Sequence, residues 1–283
     1  MQLCRFNDNR LGLVEGDRVK DVTAALDVIP PARYPLPMHD LMIAHLPEIR
    51  AAAEKLAKDA KSLALADCKL LSPVANPGKI VAAPVNYKKH LEEAQSDPAL
   101  HHQNKILEIQ RVGLFLKATS SLAGASEGIE VRHADRRTDH EIELVAVIGS
   151  KADRVTREDA LKHIAGYCIG LDITVRGPEE RSLRKSIDTY SVMGPYMVTA
   201  DSVKDPSSLG FELTVNGETR QKGNTSDLII GIADLIVFAS AYYTLMPGDL
   251  LMTGTPDGVG PIKPGDVIDA HMDQLGSMQV KVR

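Results

Sequence analysis

The chain has 283 residues, enough for one large domain or a large and a small one, and its 43 % hydrophobic and 25 % charged content is that of an ordinary globular protein. The net charge of −5 comes without any basic run, so nucleic acid is not the expected partner, and an anionic ligand would need locally placed Arg or Lys. Cys4, Cys68 and Cys168 are scattered and odd in number, which suits a reducing cytoplasm rather than a disulfide framework or a zinc cluster. No stretch approaches the length of a membrane span, and Met1–Phe6 lacks the apolar core of a signal peptide.

Residues 1–20 read as short strands with turns at Asn7–Arg10 and Glu15–Asp17. A Pro-rich loop follows over 29–37. Residues 39–61 then become helical, rich in strong helix formers and with Pro47 near the start. This stretch contains no convergent polar cluster, so residues 1–72 are predicted to form a small accessory domain. Ser72–Gly78, with two prolines and a glycine, marks the boundary to a main domain over 73–283.

The main domain opens with a strand at Lys79–Ala83 and a loop that turns into a helix through His90 and Glu93. At spacing i, i+3 those two share a helix face, and a carboxylate beside a histidine orients the ring as a general base requires. A plain surface pair has the same spacing. Residues 96–106 are polar and read either as a mobile lid or as a solvated loop. His101 and His102 within it are adjacent, face different ways and do not make a metal pair.

The run from Asp139 to Gly149 reads as a strand that enters a core, with Glu141 and Glu143 at its mouth. Side chains alternate along a strand, so the two glutamates point the same way, about 6.5 Å apart along the backbone. Such a pair is solvated, or shares a proton, or holds a cation between its members. Gly166–Arg176 is a second apolar strand, interrupted by Asp172. A carboxylate there must be paired, for example with Arg176, or bound to metal. In the second case it is a third ligand beside the two glutamates, and Arg176 is free to hold a substrate carboxylate. A hard divalent cation such as Mg²⁺ accepts such an all-oxygen set.

Further on, Asn216-Gly217 predicts a hairpin, and Thr225–Ser240 predicts a mostly buried helix with capping residues at its start. Thr253–Gly260 is a glycine-rich loop. It lacks the P-loop lysine and the dinucleotide-binding spacing, so it is either a backbone approach to a non-nucleotide ligand or a tight structural turn.

Several pieces occur together in order: Asn86-Tyr87-x-x-His90-x-x-Glu93, Asp139-x-Glu141-x-Glu143-Leu144, Asp172 with Arg176, Lys185-x-x-Asp188-Thr189, Asn224–Asp227, Pro247–Asp249, and Thr253-Gly254-Thr255-Pro256-x-Gly258-Val259-Gly260. As a set, over residues 79–270, they resemble the fumarylacetoacetate hydrolase family. The resemblance implies an α+β, mostly β fold with a mixed β-roll or barrel-like catalytic domain, a homodimer, and a Mg²⁺ or Mn²⁺ site. It assigns Glu141, Glu143 and Asp172 to the metal. His90 and Glu93 become a water-activating dyad on a lid that orders over substrate, and Lys185 stabilises developing negative charge. Arg176, Lys117, Thr255, Gly254 and Tyr87 surround a small anionic keto acid. The implied reaction is hydrolytic C–C cleavage of a 1,3-diketo acid such as an acylpyruvate. The alternatives are a decarboxylase, isomerase or lyase acting on a related 2-keto or ureido acid and, more remotely, a non-catalytic metal-dependent binding protein with no use for the dyad.

Overall fold

The structure is a computed structural model and describes residues 1–101 and 108–283. The chain is α+β and mostly β. Its largest element is a twelve-stranded sheet, with the strands Ile142–Ile148 and Ile164–Asp172 side by side near the middle of the strand order. All seven residues of Ile142–Ile148 are buried, and the strand divides two apolar layers. Leu144, Ala146 and Ile148 pack on the side of the helix Ile232–Tyr242, together with Leu235, Ile236 and Ala239. Val145 and Val147 pack on the other side, with Ile49 and Ala53 of the helix Leu46–Leu56. The alternation that buries the valines carries Glu143 onto the same face, at the point where that face changes from apolar to acidic.

The antiparallel register pairs Ile142 with Leu171 and Glu143 with Gly170, so Asp172 at the end of its strand arrives beside Glu141, whose carbonyl accepts its N–H at 2.9 Å. A three-stranded sheet made of Thr174–Val175, Thr138–His140 and Gly260–Ile262 flanks this point and pairs Asp139 with Thr174. A third sheet of four strands contains the hairpin at Asn216-Gly217, where both residues take the positive φ that such a turn requires.

The first seventy residues add strands to the large sheet, through the pairing of Gln2–Phe6 with Ser191–Thr199. Their predicted helical stretch is two helices, Leu41–Ala44 and Leu46–Leu56. Asp40 caps the first, accepting from Ile43 N–H at 3.0 Å, and its other oxygen takes the N–H groups of Ala75 and Asn76 at 3.1 and 2.9 Å.

One predicted element starts late. The helix expected from Thr225 begins only at Ile232, after a single 3₁₀ turn at Thr225–Asp227. The Thr225 hydroxyl accepts from Leu209 N–H and donates to Pro206, so it holds the chain to a neighbouring loop. The N–H groups of Ile229 and Ile230 are then taken by Asn86, which keeps 228–230 out of the helix. Of the segment 96–106, Ser96 closes the helix Lys88–Ser96 and Pro98–His101 forms one more helical turn, whereas 102–106, with His102, lie outside the described residues.

Candidate metal centre and active site

Glu141, Glu143 and Asp172 converge as the strand register requires. One carboxylate oxygen from each lies within 4.8 Å of the others, and all three residues are buried. Asp172 accepts from Lys117 Nζ at 2.5 Å and from Lys185 Nζ at 2.6 Å. Lys185 also donates to Glu141 at 2.8 Å and to the Thr174 hydroxyl at 2.7 Å, which uses all three of its N–H groups. Arg176 does not pair with Asp172. Its guanidinium instead bridges Asp139 at 2.7 Å and Glu141 at 2.9 Å, while Arg137 takes the other Asp139 oxygen at 2.7 Å.

Charge is therefore distributed unevenly among the three candidate ligands. Burial opposes the ionised form of Glu141, but Lys185 and Arg176 outweigh it and hold the carboxyl far below its ordinary range. Glu143 forms no ion pair among the described residues. Its fixed partner is the Gly254 N–H, at 2.8 Å, and burial together with the nearby Asp172 pushes its carboxyl well above the ordinary range. A buried carboxylate with carboxylate neighbours and no cation of its own is the kind of group that a divalent ion relieves. The donors are all oxygen, which suits Mg²⁺, Mn²⁺ or Ca²⁺ over softer metals. On both counts the residues present fit a divalent cation.

His90 is buried on the helix Lys88–Ser96, with Nδ1 2.9 Å from Glu93 Oε2. The other Glu93 oxygen accepts the Gly258 N–H at 3.1 Å, so the pair is fastened to the glycine-rich loop. Gly258 and Gly254 both have positive φ, of 88° and 103°. At Gly258 a Cβ would stand 2.2 Å from the Arg220 carbonyl, so this loop takes the shape that presents the two N–H groups only with glycine there. With Nδ1–H donated to Glu93, Nε2 is the nitrogen left to accept a proton.

His90, Glu141, Asp172, Lys185, Arg176 and Thr255 line one cavity of about 60 Å³. Two wider grooves, of about 590 and 610 Å³, lie beside the first helices, away from the carboxylates. Thr255 is held by Gln221, whose amide donates to its hydroxyl at 2.8 Å and whose carbonyl oxygen takes the Ile142 N–H at 3.1 Å. Lys117 lies behind the cluster, bonded to Asp172 and to the Tyr190 carbonyl. Tyr87 is set apart from the cavity. It precedes the His90 helix, bridges to Leu228 and packs edge-on against Phe211 at 6.2 Å, with its hydroxyl buried and unpartnered.

The model of the fumarylacetoacetate (FAA) hydrolase C-terminal domain matches residues 79–283. The chain belongs to the fumarylacetoacetate hydrolase family. Maleylpyruvate hydrolase of Aquipseudomonas alcaligenes is 55 % identical over 285 residues, covering 100 % of this chain and 99 % of that protein. The crystal structure of maleylpyruvate hydrolase from Sphingobium sp. SYK-6 superposes with a TM-score of 0.84 at 39 % identity, covering 100 % of this chain and 99 % of the other. A second crystal structure of that enzyme, in complex with manganese(II) and pyruvate, gives a TM-score of 0.83 at the same identity, covering 100 % of this chain and 98 % of the other.

Within the family frame, several supporting residues build the site: Asp139 and Asn86 stand in the ordered motifs without an assigned role, and Thr174 and Gln221 carry no sequence signal of their own. Asp139 and Thr174 hold Arg176 and Lys185 in place, and Gln221 acts at a distance of some eighty residues from the strand it supports. Asn86 does the same for the loop before the His90 helix. Its amide donates to Ile230 O and Thr253 O and its oxygen accepts from Ile230 N, each at 2.9 Å. Arg181 and Arg184 also line the cavity, and their signal was available as the spacing Arg181, Arg184, Lys185, which is one helix face.

Proposed function

We propose that this chain hydrolyses a C–C bond in an acylpyruvate, a 1,3-diketo acid, using a divalent metal held by Glu141, Glu143 and Asp172. The observation that carries the reading is the shared cavity, in which a carboxylate-oriented histidine meets Glu141 and Asp172, two of the three converging carboxylates. A binding protein has no use for the histidine–glutamate pair. The 55 % identical maleylpyruvate hydrolase, and the pyruvate and manganese bound by its 39 % identical counterpart, support the same class. Mg²⁺ or Mn²⁺ is the natural occupant of an all-oxygen donor set. When bound, the metal supplies Lewis-acid polarisation of the keto acid.

The chain's own residues account for the proton and charge movements. Glu93 holds the Nδ1–H of His90 so that Nε2 takes a proton from water. The water oxygen adds to the carbonyl carbon remote from the pyruvyl group. The bond from that carbon to the intervening methylene breaks, and its electron pair passes into the pyruvyl fragment as an enolate. Lys185 and Arg176 counter the negative charge, and a proton returned to the methylene carbon gives pyruvate and a carboxylic acid. The cavity is well below the roughly 300 Å³ of a typical ligand pocket, so binding must widen it. We further propose a homodimer, on the family resemblance, and a cytoplasmic location, which suits three cysteines that are all free and buried.

His90→Ala should lower acylpyruvate turnover by about 10²-fold or more while manganese binding stays intact. A variant that kept the wild-type rate would remove His90 from this role. Release of CO₂ in place of pyruvate plus acid would move the protein to the decarboxylases.

A further inference from the structure

The short helix Arg181–Lys185 carries three cations at i, i+3 and i+4, hence on one face, while Leu183 on the opposite face is 66 % exposed. That cationic face forms one wall of the cavity. Its three members differ in what they already hold. Lys185 is fully engaged by Glu141, Asp172 and Thr174. Among the described residues the Arg184 side chain donates only to main-chain carbonyls, to Glu179 O at 2.8 Å and Val175 O at 3.3 Å, so it is positioned without a direct carboxylate partner. The Arg181 guanidinium makes no hydrogen bond or ion pair with any described residue. Its guanidinium carbon stands 5.6 Å from the centre of the Phe115 ring, a contact that orients the group and leaves its N–H fork unspent.

The remaining cation of the cavity, Arg176, is committed to Asp139 and Glu141, and Lys117, behind the cluster, is committed to Asp172. Arginine keeps its charge, and a half-buried guanidinium with no acceptor among the described residues is costly; burial presses its pKa downward against the opposing pull of Glu180, Glu141 and Asp172. A planar fork facing a cavity is matched by a carboxylate. The pyruvyl end of the substrate belongs with the metal ligands, so the carboxylate that meets Arg181 must come from the other end.

We propose that Arg181, supported by the positive field of Arg184, is the specificity-determining residue that binds a second carboxylate on the acyl portion of the substrate. The inference rests on the acylpyruvate reading above and narrows it to acylpyruvates whose acyl group is itself a carboxylic acid. A neutral acyl group leaves the fork unpaired in a closed site, which is how buried polar groups reject the analogue that lacks their partner.

The test compares fumarylpyruvate with crotonylpyruvate, which carries a methyl in place of the far carboxylate, on the manganese-loaded protein. In the wild type kcat/KM should favour fumarylpyruvate by about 10²-fold or more. Arg181→Gln should cut that ratio at least about 30-fold, mostly through KM, and Arg181→Lys should restore part of it. If Arg181→Gln lowers both substrates equally, or neither, the assignment is overturned. If the wild type cleaves neither compound, the hydrolase reading fails on its own. The anchor is then judged by calorimetric binding of 2-oxoadipate against 2-oxohexanoate, where a wild-type preference for the dicarboxylate that disappears in Arg181→Gln supports it, and equal affinities in the wild type overturn it.

Discussion

Arg50 and Asp201 pair at 2.7 Å beside the N-terminal helices, and Lys185 and Asp172 pair at 2.6 Å in the carboxylate cluster. The distances are alike and the surroundings are not. The Asp201 side chain is 58 % exposed, as are comparable parts of Arg10–Asp21 and Lys20–Glu15, whereas the side chains of Asp139, Glu141, Asp172, Lys117, Arg176 and Lys185 are 9 % exposed or less. Water screens the first set, so each pair there contributes little and can be removed alone. The second set is desolvated and interlocked, and taking one member leaves its partners charged with nothing opposite them. That cost is tolerated where a charged array has chemistry to perform.

The largest expected effect is therefore in the cluster. Asp172→Asn should destabilise the fold by about 3–5 kcal/mol, because Lys117 loses the carboxylate it pairs with and Lys185 keeps only Glu141 as a counter-charge, and it should abolish specific manganese binding. Urea denaturation and calorimetric titration read the two consequences separately. A loss below about 1 kcal/mol would place the cluster with the surface pairs.

Asn86→Ala comes next. It strands the Ile230 N–H and the carbonyls of Ile230 and Thr253 near the site, and unfolding midpoints should report a loss of about 1–3 kcal/mol. Gly258→Ala sets a Cβ against the Arg220 carbonyl and disturbs the N–H that Glu93 accepts. It should cost about 1–3 kcal/mol and lower kcat more than it lowers metal affinity, since Glu93 touches His90 and not the carboxylates.

The smallest effect is expected at Asp201. Hydrogen bonding from Thr199 and the Arg50 charge hold its carboxyl down to about 2. Its folded value lies below the unfolded value of about 3.9, so its contribution is complete above that unfolded value and disappears as pH falls through about 2. Asp201→Asn should lower stability by under about 1 kcal/mol at neutral pH, less in high salt, and the gap to wild type should close near pH 2. A gap that persists there would mean that the side chain acts through packing instead.

The three carboxylates were legible in the sequence because each breaks a pattern. Two sit at the mouth of an apolar run and one inside another, and strand periodicity alone puts the glutamates on one face. The His90–Glu93 contact was legible for the same kind of reason, as helical spacing. What escaped were relations between distant segments. Arg176 invited a pairing with Asp172 four residues away, but the three-stranded sheet brings Asp139 to it instead. Thr225 looked like a helix cap, yet its hydroxyl is spent on another loop and the helix waits until Ile232. Gln221 lies in a hairpin strand with no local hint that it holds Thr255. Local periodicity encodes which way a side chain points; what it meets there is decided by pairings that a short window of sequence does not contain.

Asn86 has one further consequence, for how the imidazole is held. Its main chain and side chain are tied to Ile229, Ile230 and Thr253, and the helix that carries His90 begins two residues later, at Lys88. At the other end of the dyad, Glu93 is fastened to the Gly258 N–H while its second oxygen meets His90 Nδ1. The ring therefore sits between two anchors, one on each side of it in the chain. Alignment is written into the scaffold in advance, and little orientational freedom is left to lose when a ligand arrives.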